Sequence, residues 1–416
     1  MSGLRGMAAA PTPVPVCEDP EVREGPWLLE GVEEGPGLAP HRKRYGETPR
    51  RTLDQLIDAV EDVGLRGRGG AAFPFATKLR AAADRGGRPC VVVNLSEGEP
   101  ASSKDTVLAR LRPHLVLDGA VMTARALGAR QVHVALPGER PLTVAGMDAA
   151  LAQRRDRGIR FVRHVTEPRF VAGQARAVLE LMAGRPNLPV TAWSPEAVTG
   201  HRARPTLLSN AETWAHVGRL LLDGAPRGLG TDDEPGTTLL TVRAGGRVTV
   251  RETEYGESLS RVVSLEASPA VLLGGYHGTW VDPDDARTLV FSVPGLRTAG
   301  YALGAGLVMA VEGCPVGWTR RLVDYLAAQS AGRCGPCRNG LPALADALTR
   351  LDGGTDRVVE LAGTVERRGA CAHPDGMVRL VRSLLAAYPD EVEGHVAGCC
   401  TWRPAYADRR IRRVAS

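Results

Sequence analysis

Lysine is nearly missing from this chain. Of its 416 residues 52 are basic, yet lysine stands only at Lys43, Lys78 and Lys104. A composition that uses arginine wherever a generic positive charge suffices implies that each retained lysine does something a guanidinium cannot, such as setting a compact ammonium against a phosphate or a ring edge. Long apolar runs are absent as well. No stretch approaches the roughly eighteen residues of a membrane span, and the first residues hold no basic region leading into an apolar core and cleavage site, so a cytoplasmic chain without a membrane span is expected. Cysteine is sparse: eight residues, two of them as Cys-x-x-Cys, point to metal or redox chemistry rather than to a disulfide framework. The formal charge of +5 is modest and spread along the chain, without the basic stripe that nucleic-acid binding requires.

A chain of this length can bury a large core and divides into domains. Residues 1–47 are rich in Pro, Gly and charge and read as an irregular arm, laid over the next domain or partly disordered. Residues 48–230 alternate helical patterns with short apolar strands at 90–94, 131–136 and 159–165, joined by helix-length segments such as 105–127 and 143–155, which predicts a layered α/β domain. Between 236 and 290 the rhythm changes to a hairpin about Gly245-Gly246, a short helix and the strand Ala270-Val-Leu-Leu. From Pro315 the pattern is helical, with breaks at 332–340, 353–354 and 369–374, so that 300–400 reads as a helical bundle holding a cofactor in its loops. A tail over 401–416 carries Arg409, Arg410, Arg412 and Arg413, read as a solvated end, with docking of an acidic partner as the alternative.

The densest chemistry lies in Gly64-Leu-Arg-Gly-Arg-Gly-Gly-Ala-Ala-Phe-Pro74, followed by Asn94-Leu-Ser-Glu-Gly-Glu-Pro100. Successive glycines let the backbone approach a phosphate or a flat ring and let several N–H groups converge on it. The acidic turn offers acceptors for ribityl or ribose hydroxyls, so the pair reads as a flavin pocket. Gly67-Arg-Gly-Gly-Ala-Ala72 approximates the dinucleotide fingerprint, but that fingerprint follows a strand. Here Leu53, Leu56, Ile57, Val60 and Val63 precede the loop at helical spacing, and the strand comes after it.

These residues resemble the NADH-binding flavoprotein (F-type) subunit of respiratory complex I and the related subunits of NAD-linked hydrogenases and formate dehydrogenases. The resemblance continues at Arg204-Pro-Thr-Leu-Leu-Ser-Asn-Ala-Glu-Thr213, at Gln329-Ser-Ala-Gly-Arg-Cys-Gly-Pro-Cys-Arg-Asn-Gly340 and at Cys371. It implies a Rossmann-like α/β domain for FMN and NADH, a small β-grasp (SLBB-like) module and a helical domain with a 4Fe-4S iron–sulfur cluster. Gly67, Arg68, Gly69, Gly70, Lys78, Asn94, Glu97, Gly173, Asn210 and Thr213 would hold the flavin, with Phe73 and Glu99 facing the nicotinamide. A core-packing role for Phe73 is the alternative. The implied activity is hydride transfer from NADH to FMN and single-electron exit through the cluster to a partner subunit, best imagined as ferredoxin-like. A scaffold or electron-transfer adaptor that keeps the fold without the chemistry, or a flavoprotein served by another donor, are the competing readings.

Departures from the family pattern are specific. Ser96 replaces an aspartate, Ala172-Gly-Gln-Ala-Arg176 replaces Cys-Gly-Glu-Glu-Thr, and Leu79 replaces a tryptophan. Cys334, Cys337 and Cys371 match three cluster ligands, whereas Ala331 occupies the first. Cys314 lies at the far end of a helix, about 20 Å away. The fourth ligand is thus expected to be water or hydroxide, His373, or Cys399 or Cys400 from a returning tail. The competing accounts of these thiols are a Cys₃His zinc site with His373 and an empty thiol cluster. Cys17, Cys90 and Cys314 read as plain thiols.

Overall fold

The computed structural model describes residues 12–84, 88–265 and 270–402; Arg409, Arg410, Arg412 and Arg413 lie outside the described residues. A two-residue strand, β1 (Glu21–Val22), comes first and belongs to the second of two sheets. The first sheet holds β2 (Cys90–Asn94), β3 (Gln131–Pro137), β4 (Arg160–Thr166) and β5 (Thr206–Asn210) in the order β4-β3-β2-β5, all parallel. The near-continuous apolar run of β2 is what a central parallel strand covered on both faces requires. Val91 and Val93 enter the main core with helices Pro113–Ala126 and Ala211–Asp223, while Cys90 and Val92 face the helix Ala175–Met182.

This strand order positions a site. From β2 the chain moves outward to β3 and β4, then returns to add β5 on the opposite side of β2. Helices leave β2 and β5 in opposite directions at such a switch point, opening a crevice at the carboxyl ends of the strands. Asn94 and Asn210 are register partners at that edge.

The second sheet runs β1-β7-β6-β10-β8-β9, with β6 (Thr237–Ala244), β7 (Arg247–Glu254), β8 (Ala270–Leu273), β9 (Thr279–Val281) and β10 (Leu307–Val311). The β6–β7 hairpin turns on Gly245 and Gly246, whose φ values of 55° and 75° suit the tight turn expected there. Five helices follow, Pro315–Ala328, Leu341–Thr349, Asp356–Val365, His373–Ala387 and Pro389–Val396, with a wide turn at Pro336–Gly340. Among the described residues no helix is long and apolar enough to cross a membrane.

Two expectations need correction. The segment 105–127 is two helices, Lys104–Leu111 and Pro113–Ala126, because Pro113 lacks the N–H that would continue the first. The N-terminal arm is less irregular than its composition implies, since it contains the helix Leu38–Tyr45. Asp118, fully buried, takes His41 Nε2 at 2.8 Å, Arg42 Nη1 at 2.9 Å and Arg154 Nη2 at 2.6 Å, and so ties that helix to the α/β domain. Farther along, the buried Glu252 of β7 accepts the amides of Trp27, Leu28 and Leu29 at 3.1, 2.8 and 3.0 Å.

Candidate functional site

The glycine loop leaves the helix Leu53–Asp62, which a Thr52/Gln55 capping box starts, and not a strand. It is pinched shut by Gly67 N–H donating to Phe73 O and Phe75 N–H to Leu65 O, both at 2.8 Å. Its middle is held from below. Arg68 N–H donates to Thr213 Oγ1 at 2.9 Å, and Arg68 O accepts from Asn210 Nδ2 at 3.1 Å and Lys104 Nζ at 3.2 Å. Thr213 Oγ1 in turn donates to Asn210 Oδ1 at 2.6 Å, so the start of helix Ala211–Asp223 and the loop form one unit over the switch point. The Arg68 guanidinium lies 5.0 Å from the Tyr255 ring centroid and 3.9 Å from Glu212.

Nothing inside the chain requires glycine at two of these positions. A Cβ built on Gly67 or Gly69 would find its nearest neighbour at 3.6 or 3.8 Å, ordinary contact, and neither residue has a positive φ. The amides of Gly69 and Gly70 make no hydrogen bond among the described residues. An open backbone cradle with unspent N–H groups, set at the carboxyl edge of a parallel sheet, fits a phosphate-bearing ring system lying against it. Phe73 at the tip is 47% exposed while Phe75 fills the core, which excludes core packing as the role of Phe73.

The side chains behave otherwise than expected. Lys104 is spent inside the chain: it is buried under the loop, with Nζ 2.6 Å from Glu212 Oε2 and 3.5 Å from Asp105 Oδ1. Burial alone would lower its pKa, but the two carboxylates hold it above the ordinary lysine value. Three acceptors around one ammonium explain why arginine does not serve there. Lys78, a quarter exposed, pairs with Glu196 at 2.9 Å and donates to Leu208 O at 3.0 Å.

Both acidic-turn carboxylates are hydrogen-bonded within the chain. Glu97, at φ 38°, accepts from Ser102 Oγ, the amides of Asp105 and Thr106, Thr106 Oγ1 and Arg140 Nη1, between 2.7 and 3.1 Å. It is the cap of helix Lys104–Leu111 and an anchor for Arg140. Glu99 accepts Tyr276 N–H at 2.7 Å and Ala101 N–H at 3.3 Å, and burial pushes its carboxyl up to about 7. Asn94 Nδ2 donates to Gly173 O at 2.8 Å, and its Oδ1 accepts from Ser96 Oγ at 2.7 Å. Gly173 is glycine for room, since its Cβ would lie 3.1 Å from Ser96 Cβ.

The segment that carries Gly173 also reaches the thiols. Gln174 lies beside Cys371, and Phe170 N–H donates to Gln329 Oε1 at 3.1 Å. The Phe170 ring packs among Tyr276, His277, Tyr325 and His373, with centroid distances from 4.6 to 6.2 Å. Cys334 and Cys337 lie with sulfurs 3.5 Å apart, and backbone amides of Ala370, Gly332 and His373 face Cys334, Cys337 and Cys371 respectively. Amide N–H groups aimed at each sulfur are the surroundings that iron–sulfur thiolates use.

His373 is not a ligand. Its Nε2 bonds Leu326 O at 2.8 Å, its Nδ1 bonds His277 at 3.0 Å, and the residue is fully buried. Nor do the three sulfurs all lie within 4.8 Å of one another among the described residues. Zn–S bonds of about 2.3 Å would set them roughly 3.8 Å apart. With both His373 ring nitrogens engaged inside the chain, the Cys₃His zinc reading lacks its fourth ligand. Cys400 is equally excluded as a fourth ligand, and Cys314 is no plain thiol: both sit in a separate group with Glu391 and His395.

A flavin-type cradle at a switch point, joined by one short segment to a thiol nest, defines a flavin- and iron–sulfur-dependent oxidoreductase component. Comparison with known proteins makes the assignment specific. The family model described as the Nuo51 FMN-binding domain matches residues 60–219, and that of the NADH-ubiquinone oxidoreductase-F iron-sulfur binding region matches 317–395. An F-type NADH-quinone oxidoreductase protein of Rhizobium meliloti (strain 1021) is 28% identical over 401 residues, covering 89% of this chain and 94% of that one. The NADP-reducing hydrogenase protein HndC of Solidesulfovibrio fructosivorans is 28% identical over 411 residues, covering 91% and 81%. A chain of the NAD⁺-reducing [NiFe]-hydrogenase in its air-oxidized state superposes with a TM-score of 0.79 at 26% identity, covering 90% of this chain and 68% of that one. In these two regions, and in its fold, the chain resembles the F-type NADH-binding flavoproteins and diverges from them in detail.

Proposed function

We propose that this chain oxidises NADH as the flavoprotein component of a larger redox assembly and hands the electrons on one at a time. Bound FMN would supply a hydride acceptor and a four-iron cluster a one-electron carrier. Within this reading Gly67, Gly69 and Gly70 hold the flavin by their main chain, with Arg68 and Thr213 fixing the loop. Asn94, Gly173 and Asn210 line its sheet side, Lys78 lies alongside, and Phe73 offers the ring on which a nicotinamide stacks. Glu97 and Glu99 position the turn from behind. The observation that carries the proposal is the 170–174 segment: Gly173 is bonded to Asn94 at the crevice, and the next residue, Gln174, lies beside Cys371.

Cys334, Cys337 and Cys371 are the protein ligands in this reading, with Ala331 leaving the fourth iron to water or hydroxide. Residues 236–290 form the β-grasp-like module and 300–400 the iron–sulfur-binding helical domain. A ferredoxin-like acceptor is supported by the exposure of the Cys334 loop, where Arg333, Gly335 and Arg338 face solvent. An acidic partner docking there would meet two cations.

One observation favours the scaffold reading: Glu97 and Glu99 are spent inside the chain, and the neighbouring glutamates of the family pattern are Gln174 and Ala175 here. Anaerobic reconstitution with FMN followed by gel filtration separates the two. The proposal expects about one flavin retained per chain, as one cradle implies. A colourless protein with intact helices would establish the scaffold.

A further inference from the structure

The last helix and the segment after it bring together four donors far from the glycine loop. Glu391 and His395 stand four residues apart on helix Pro389–Val396 and so share one face. Gly398, at φ 75°, reverses the chain, and Cys399 N–H donates to Gly394 O at 2.8 Å, folding Cys400 back over that face. A Cβ at Gly394 would lie 2.9 Å from Cys399 O, so this return depends on glycine. Cys314 arrives from elsewhere, as the cap of helix Pro315–Ala328.

All four ligand atoms lie within 4.8 Å of one another. Glu391 Oε1 is 3.3 Å from Cys314 Sγ, 3.2 Å from Cys400 Sγ and 3.1 Å from His395 Nε2, and Cys314 Sγ is 3.2 Å from His395 Nε2. Tetrahedral zinc, with bonds of about 2.3 Å to sulfur and 2.0 Å to nitrogen or oxygen, sets its ligand atoms roughly 3.3–3.8 Å apart. These four separations fall short of that by only a few tenths of an ångström.

The surroundings are those of a ligand set. Thr401 Oγ1 donates to the other oxygen, Glu391 Oε2, at 2.5 Å, and Gly317 N–H points at Cys314 Sγ from 3.5 Å. An outer hydroxyl that orients a carboxylate and a helix N-terminal amide that favours a thiolate are typical supports of a metal ligand. Cys400 is exposed, which leaves a path for the ion, while Glu391 is buried.

We propose that Cys314, Glu391, His395 and Cys400 bind a structural zinc ion that staples the end of the helical bundle to the start of helix Pro315–Ala328. Four protein ligands leave no open position, so the ion has no substrate. The other end of that helix leads into the Cys334 loop, about 20 Å away, so the zinc site and the iron site are separate. Binding is with loss of the two thiol protons, giving a site of net charge minus one.

The test is metal analysis of the full-length protein, purified anaerobically from zinc-replete medium. The expected result is about one zinc per chain, with X-ray absorption at the zinc edge giving two sulfurs near 2.3 Å and two lighter atoms near 2.0 Å. C314S and C400S each lose the zinc and keep their iron, while C334S keeps the zinc. Should the serine variants fail to fold, Co²⁺ substitution of the wild-type protein serves, with thiolate-to-cobalt charge transfer and intense visible bands of a tetrahedral site. A folded wild-type protein that carries no zinc and takes up neither Zn²⁺ nor Co²⁺ overturns the proposal. So does a Cys314–Cys400 disulfide in the anaerobic protein, or zinc that persists in a C314S/C400S double variant.

Discussion

Replacing Gly69 by alanine separates a glycine needed for folding from one needed for a ligand. The Cβ would meet Asn210 Cβ at 3.8 Å and nothing closer, and the backbone at Gly69 is not in the left-handed region. Such a substitution lowers the entropy of the unfolded chain and is worth about 0.4–1 kcal/mol of stability. For a chain of this size that is an upward shift of melting temperature of roughly 0.5–1 °C in the flavin-free protein. The same methyl occupies the space into which an approaching ring or phosphate would come. Losing close contact there is expected to weaken FMN at least about tenfold, or 1.4 kcal/mol. Flavin fluorescence titration of the apoprotein reads the second effect, and thermal unfolding without flavin reads the first. Gly98→Ala is the contrast, because its Cβ would lie 2.5 Å from Phe170 O and should destabilise the fold outright. Unchanged FMN affinity in G69A would refute the placement of flavin against this loop.

Other perturbations test the supports of the site. Glu99 titrates near 4.5 when unfolded and about 7 when buried, so its proton is held by the native state. Stability should fall as pH rises from about 4.5 to 7, by roughly 3 kcal/mol in all, because the unfolded chain releases that proton first. E99Q removes this slope, and urea unfolding at pH 5 and pH 8 should show the variant gaining on the parent; a pH-independent difference would contradict the burial of that carboxyl. Asp118→Asn leaves partly buried Arg42 and buried Arg154 without their shared anion and should cost about 3 kcal/mol, with protease sensitivity appearing near residues 38–45. A cost under 1 kcal/mol would show that the helix is held by other contacts. Ala331→Cys supplies the missing thiolate and should raise iron content and slow cluster loss in air; an unchanged decay would mean that residue 331 does not face the fourth iron.

Local sequence is informative where local physics decides. A helical period before the glycine loop distinguishes it from an ordinary dinucleotide fingerprint, and the Gly245-Gly246 pair marks the hairpin because glycine adopts without cost the positive φ that so short a turn requires. The destinations of side chains are not legible. Glu97 is claimed by Arg140 and Glu99 by Tyr276, partners far away in the chain that no local pattern announces. Lys104 stands out by rarity, yet its acceptors Glu212 and Arg68 O lie beneath the loop rather than in the cleft. Cys314 reads as a plain thiol because its neighbours Glu391, His395 and Cys400 stand 77 to 86 positions further on. Pro113, by contrast, is a helix break visible in the sequence, and it divides the span 105–127 as its missing N–H requires.

The most direct test of the central claim is an anaerobic ultraviolet–visible spectrum of the FMN- and iron-reconstituted protein before and after NADH. The account predicts a flavin band that bleaches on NADH addition, followed by loss of the broad cluster absorbance as electrons pass on. A flavin band that stays unchanged with NADH, in a protein that retains both flavin and iron, would contradict it.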